Sequence, residues 1–349
     1  MGHYAIAIAA SVESLRVTPW TLASSTAETL ALGAAVSPDS ACLPFKATMG
    51  HYVKAAREGV EYGVMVNSVG TCRLHYYRAV QQKLLDERGI KMRLFGLGYD
   101  GIKPPLIRHF DPDLVPFLKS VVRAALKIGV VDRIEELAWH TRPLETTAGE
   151  ATRAMNASLA DLERARTAPE ILAVRRSAPL RFARIVVCPS RRPLRVALVG
   201  ETTILRDRFL NHNIEEVLGG LGAQTRNFFL LGAELRNIFN VGLWSRNSRW
   251  ALRRIARPYL DALVGGHALD SVAHTLRCAR EGYDGVVHLA PTGCMPEVSV
   301  RPILRRVSRD TGLPVLELSF DEHTSHVGIT TRLEAFMDVL HAARKQRTE

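Results

Sequence analysis

The run VVHLA, residues 286–290, restricts the folds open to this chain more than any other stretch. It is mostly apolar and bounded by Asp284-Gly285 and Pro291, the pattern of a strand covered on both faces. A tight loop carrying Cys294 follows, then a helix, a second strand (residues 314–320), an acidic-histidine loop and a last helix. Pro296 suits a first helical turn, which places Cys294 at a helix N-terminus. Backbone N–H groups and the helix dipole favour a thiolate or another anion there.

The arrangement recurs earlier. Residues 62–67 read as a buried strand, the loop 68–73 carries Cys72, and a helix runs from about Leu74 to Arg88, closed by Gly89. Cys42 likewise precedes a helix, from Pro44 to about Glu58, and residues 91–97 form another strand. In open parallel sheets ligands collect at the carboxyl ends of strands, where Cys72 and Cys294 fall. Thr26 is a helix cap, but the first forty residues leave helix and strand readings in competition.

From 111 to 184 the chain turns to long Ala/Leu/Arg/Glu-rich helical segments, with a strand signal only at 182–187. Alternation resumes with LRVALVG (194–200), a helix over 214–221, a strand over 224–230, an Arg-rich amphipathic helix over 245–263 and a helix over 269–281. The expected fold is α/β, with two flavodoxin-like parallel-sheet domains, residues 1–110 and 191–349, joined by a helical segment, 111–190, and a cleft between them.

A chain of 349 residues suits two domains. With 47% hydrophobic and 23% charged residues it has the composition of a soluble globular protein. No run approaches the roughly 18 apolar residues of a membrane span, and AIAIAA lacks the basic flank and length of a signal peptide. Cytoplasm is the expected location, with no membrane partner. Five cysteines, odd in number and widely spaced, are no secreted disulfide framework. The net charge of +11 is carried by dispersed arginines without aromatic interleaving or zinc-finger spacing, so nucleic acid is discounted. The charge suits solvated helix faces, or attraction for an anionic ligand or acidic partner. Neither a Gly-x-Gly-x-x-Gly nor a Walker phosphate loop is present.

Three loop cysteines at helix starts suit an iron–sulfur cluster with one open iron, or zinc completed by histidine or water; otherwise they are separate small loop residues. Cys188, after a strand signal, and Cys278, inside a helix, read as spectators. Asp321, Glu322, His323 and His326 follow a strand, where proton transfer, metal ligation or loop capping are all open. Arg332, in a segment read as starting the last helix near Thr331, either faces the cleft or pairs locally. Lys46 and Arg73 either balance a negative cluster or lie at the surface. His267 and His288 read as turn and packing residues.

The segments SPDSACLPFK (37–46), GTCRLHYY (70–77), VGGHALDS (264–271), VVHLAPTGCMPE (286–297) and DEHTSHVGITTRLEAF (321–336) together resemble one family. It is the iron–sulfur family of 2-hydroxyacyl-CoA dehydratase subunits and CoA protein activase-related proteins, to which double-cubane cluster proteins are also related. The resemblance spans about residues 26 to 340. It implies a cluster, 4Fe–4S rather than double-cubane, held by Cys42, Cys72 and Cys294. It also implies low-potential electrons from an ATP-dependent activator of the actin-like kinase superfamily, a CoA thioester substrate, and pairing with a second copy or a paralogue. Catalytic candidates are Asp321, Glu322, His323 and Arg332. A non-catalytic cluster scaffold and a zinc-stabilised α/β protein are the alternatives. Val69 and Thr71 stand where relatives often have cysteine and proline, which argues against a double cubane. The N-terminus reads as short by a strand and a helix.

Overall fold

A computed structural model of the chain describes residues 2–21, 24–66, 72–97, 105–238, 248–262 and 264–348. Asn67, Val69, Gly70 and Thr71, residues 245–247 and Leu263, for which the sequence carries expectations, lie outside the described residues. The fold is mixed α/β with two parallel sheets.

The first part comprises α1 (Ala5–Val12), α2 (Ala27–Val36), α3 (Leu43–Arg57), β1 (Tyr62–Val66), α4 (Leu74–Glu87), β2 (Arg93–Leu97) and α5 (Pro105–Phe110). β1 and β2 pair in parallel as a two-stranded sheet among the described residues. The strand at 62–67 is not covered on both faces: Tyr62 and Val64 are 38% and 37% exposed, while Gly63 and Met65 point inward. Among the described residues β1 has one strand neighbour and buries mainly one face, so its residues alternate in exposure.

Three long helices follow: α6 (Leu114–Thr141), α7 (Glu150–Arg164) and α8 (Ala168–Phe182). They share a core of Ile134, Met155, Leu162 and Ile171, to which α1 adds Tyr4's neighbour Ala7. Thr167 caps α8 in a reciprocal box with Glu170. The strand signal at 182–187 is not realised. Phe182 ends α8 inside that core, and only Val187 makes an isolated antiparallel bridge, to Glu145. A run of branched residues without a neighbouring strand to pair with does not become one.

The second sheet is built from β3 (Leu194–Gly200), α9 (Thr202–Arg206), α10 (Ile214–Gly220), β4 (Ala223–Asn227), α11 (Leu231–Ile238), α12 (Arg249–Ala256), α13 (Ala268–Arg280), β5 (Gly285–Pro291), α14 (Met295–Thr311), β6 (Val315–Phe320) and α15 (His326–Thr348). Its order is β4-β3-β5-β6, all parallel. Every residue of β5 is buried, as the apolar run required. β4 stops at Asn227, short of the expected Leu230, and α12 is far shorter than the expected 245–263; Pro258 disfavours continuation just beyond it. The last helix starts at His326, one turn before the expected Thr331.

Because β4 lies on one side of β3 and β5 on the other, the winding reverses between β3 and β5. A crevice outside their carboxyl ends is where ligands bind in open α/β sheets. The two strand ends are close: at Gly200 (φ 135°) a side-chain carbon would stand 2.0 Å from the Leu289 carbonyl oxygen. Only glycine permits that approach.

Candidate functional site

Cys294 leaves this switch point as the N-cap of α14 in extended backbone, with Pro296 in the first turn. Its amide closes a turn onto the Pro291 carbonyl at 3.0 Å, and its own carbonyl accepts the Val298 amide at 2.9 Å. The adjoining Gly293 (φ 77°) faces the Ser40 carbonyl, 4.0 Å from where a side-chain carbon would begin. Ser40 lies two residues before Cys42, so the two cysteine loops abut. Cys42 is the N-cap of α3, again extended, with Pro44 in the first turn. Cys72 stands two residues before α4, half-buried, its carbonyl accepting the His75 amide at 3.1 Å.

The three thiols share a neighbourhood with Tyr77 of α4. Tyr77 Oη and Cys42 Sγ are 2.6 Å apart and buried. Phe45 packs edge-on against the Tyr77 ring, with centroids 4.7 Å apart. Burial pushes the Tyr77 phenol far above its ordinary range, helped by the charges of Cys42, Cys72 and Cys294. Burial also raises Cys42, against the lowering effect of the Tyr77 hydrogen bond and the Phe45 amide, with Glu201 and Cys72 raising it further. Cys294 is raised strongly by burial and then by Glu201; the Glu297 amide opposes this. Glu201, directly after β3, accepts the Ile204 amide and the Thr203 hydroxyl, each at 3.0 Å, and is itself raised by burial.

Behind Cys294 lies a second buried set. Glu297 accepts the Ser271 hydroxyl at 3.0 Å and meets His288 Nε2 at 2.9 Å, with all three residues buried. His288 is thus a packed strand residue bonded to a carboxylate, and His267 N-caps α13 with its ring 3.0 Å from Asp270.

The other candidates divide. Glu322 pairs across the chain: Lys46, buried on α3, donates to it and to the Asp39 carbonyl, tying the first part of the chain to the loop after β6. Partial burial raises the Glu322 carboxyl, but the Lys46 hydrogen bond and its own amide hold it below its ordinary value. Asp321 is a loop cap, accepting from the His323 amide, Thr324 Oγ1 and Thr292 Oγ1 at 3.0, 3.0 and 3.3 Å. His323 is exposed. Arg332, also exposed, donates to the Glu317 carbonyl of β6 at 2.8 Å and is engaged locally. Arg73 is exposed at the start of α4. Cys278 is fully buried in the C-terminal core, its thiol pushed up to about 12 by burial. Cys188 lies 3.2 Å from Ser190 Oγ.

Among the described residues there is no ready-made group of three or more His, Cys, Asp or Glu side chains for a metal ion. The donor chemistry nevertheless fits an iron–sulfur cofactor. Three thiols stand at helix starts, where backbone N–H groups favour the thiolate form, and a phenol is positioned against one sulfur.

A family model of the 2-hydroxyglutaryl-CoA dehydratase D-component matches residues 118–340. The chain belongs to this dehydratase family. The matched span contains Cys294, Glu201 and Glu322, and begins after Cys42, Cys72 and Tyr77. Membership supports a dehydratase-subunit-like role. The family is generally associated with iron–sulfur clusters and implies a partner activator and a paired subunit. No curated protein matches the chain. No helix of the described residues is long and apolar enough to cross a membrane.

Two site residues escaped the sequence. Tyr77 lies on the buried stripe Tyr77–Gln81–Leu85 of α4, and the i, i+4, i+8 spacing was there to be read. Glu201 carries no signal beyond its place after the terminal glycine of a strand.

Proposed function

We propose that the chain is an iron–sulfur subunit of a 2-hydroxyacyl-CoA dehydratase system, with Cys42, Cys72 and Cys294 as the protein ligands of a 4Fe–4S cluster. The observation that supports this is the meeting of the Cys42 and Cys294 loops at Ser40 and Gly293, with Tyr77 against the Cys42 sulfur and within electrostatic reach of Cys72 and Cys294. When bound, such a cluster would supply one-electron chemistry and an iron position without a protein ligand. The chain's own residues hold it. Amides at the starts of α3 and α14 face negative charge, Phe45 and Tyr77 keep water from the Cys42 sulfur, and the Lys46–Glu322 pair fixes α3 against the C-terminal loop.

The rest of the reading is coarser. Electrons come from a separate ATP-dependent activator of the actin-like kinase superfamily, consistent with the lack of a phosphate loop in this chain. The substrate is a CoA thioester, and the subunit pairs with a second copy or a paralogue in the cytoplasm. Residues 1–110, 111–190 and 191–349 form the two sheet domains and the helical segment between them. This division is supported by apolar cores centred on α3–β1–α4, α6–α7–α8 and β3–β5, with Tyr4 and Ala7 joining the second and Leu43 and Ala47 the third. A cluster-bearing subunit without catalysis of its own is favoured by one observation: Asp321 and Arg332 spend their hydrogen bonds on local loop and strand groups.

Anaerobic reconstitution of Cys→Ala variants tests the ligand set. Wild type and Cys278→Ala are expected to hold about four irons per chain, and Cys42→Ala, Cys72→Ala and Cys294→Ala much less. Equal iron across all five would refute the assignment. Zinc in place of iron and sulfide would refute the cofactor.

A further inference from the structure

We propose that Tyr77 is a positioning residue for the cofactor, its hydroxyl donating a hydrogen bond to the Cys42 sulfur and thereby setting the reduction potential of the site. The inference rests on the cluster reading and goes beyond it, because it concerns a residue that binds no iron.

The Oη–Sγ separation is 2.6 Å, and both side chains are buried, Tyr77 at 7% exposure and Cys42 at 9%. In the unliganded chain either atom can be the donor. A thiolate ligand has no proton, so once Cys42 binds metal the phenol must be the donor, and an ordinary phenol with a pKa near 10 keeps its proton at neutral pH. The ring cannot readily swing away. Phe45, on the same helix as Cys42 and only three residues from it, meets the Tyr77 ring edge-on at 88°. Sulfur, ring and hydroxyl therefore form one packed unit between α3 and α4.

A hydrogen bond to a ligand sulfur stabilises the more negative, reduced state of a cluster, so it raises the potential. Its loss leaves the same three thiolates and a site harder to reduce. For a subunit fed by a low-potential donor, that difference decides how completely it is charged.

The test compares anaerobically reconstituted full-length wild type, Tyr77→Phe and Tyr76→Phe. Tyr76 is the control, being the adjacent tyrosine at 67% exposure. Tyr77→Phe is expected to retain iron and sulfide while its one-electron reduction equilibrium falls roughly tenfold, about 59 mV to more negative potential. Tyr76→Phe should match wild type. Wild type alone gives a second reading that needs no variant: pulsed EPR of the reduced protein should show a proton coupled to the cluster that exchanges in D2O. Unchanged potential in an iron-replete Tyr77→Phe, or no exchangeable coupling in wild type, overturns the role of Tyr77 and leaves the cluster standing. Wild type that takes up no iron overturns the cluster reading itself, and this inference with it.

Discussion

Cys294 and Cys72 both follow a strand of a parallel sheet and precede a helix, yet the two settings are built to different standards. β5, before Cys294, pairs on both sides and is buried at all seven positions. β1, before Cys72, has one strand neighbour among the described residues and alternates between buried and exposed residues. Behind Cys294 stands the buried Ser271–Glu297–His288 set, whereas Arg73, next to Cys72, is exposed. A strand–cysteine–helix pattern therefore fixes where a thiol emerges, and the number of neighbours around the strand fixes how firmly it is held.

Truncations at the strands should show the contrast most strongly. Leu289→Ala, at a fully buried position of β5, is expected to cost about 3–4 kcal/mol. Val64→Ala on β1, 37% exposed, should cost under about 1 kcal/mol. Denaturant unfolding of both variants reads the difference, and equal losses would break the comparison.

Next comes Glu297→Ala, which strands a buried histidine and a buried hydroxyl, for a loss of about 2–3 kcal/mol. Glu297→Gln keeps an acceptor and should lose less. If calorimetry finds both variants as stable as wild type, the set behind Cys294 is ornament rather than support.

Acid sharpens the contrast through two histidines. Burial holds His274, stacked on Phe228, down to about 3, and His51 of α3 down to about 4. Below the ordinary value of 6.5 the unfolded chain takes up protons that the folded chain refuses. Stability is then complete above 6.5 and is lost as pH falls toward 4 and 3, by about 1.4 kcal/mol per pH unit for each histidine. His274→Phe, which keeps a ring against Phe228, should flatten the acid slope between pH 6 and 5 by one histidine's share. An unchanged slope in pH-dependent unfolding would show that His274 is not held neutral.

The smallest effect is expected at Arg332. Its exposed hydrogen bond to β6 is worth at most about 1 kcal/mol, so Arg332→Ala should fold and take up iron as wild type does. A large loss of iron would return Arg332 to the site.

The sequence revealed most where burial and backbone chemistry agreed. The apolar run at 286–290 and the glycine and proline around Cys294 became what they suggested, and strands alternate with helices from 194 onward, with β4 and α12 shorter than expected. Residues 182–187 had the composition of a strand and lacked a partner. The N-terminal helix reads ambiguously because its apolar residues are alanines with two isoleucines and a valine, and contact with α6 settles its state. In the site, Cys72 and Cys294 were legible as punctuation after strands, and Cys42 as punctuation before a helix. Tyr77 was not, because its importance lies in a contact with α3 that no local pattern encodes. Arg332 misled because an arginine's length lets it reach a nearby carbonyl as easily as a distant cleft.

The abutting loops of Ser40 and Gly293 also bear on how the protein is made. Cys42 and Cys294 lie about 250 residues apart in the chain, and at ribosomal rates of about 5–20 residues per second the second is synthesised roughly 13–50 seconds after the first. For that interval the nascent protein carries Cys42 and Cys72 without Cys294. Metal loading that needs all three is then an event of the finished chain. On the proposed cluster, iron shortage or oxygen after that interval, rather than during it, would leave polypeptide with its thiols in place and no cofactor.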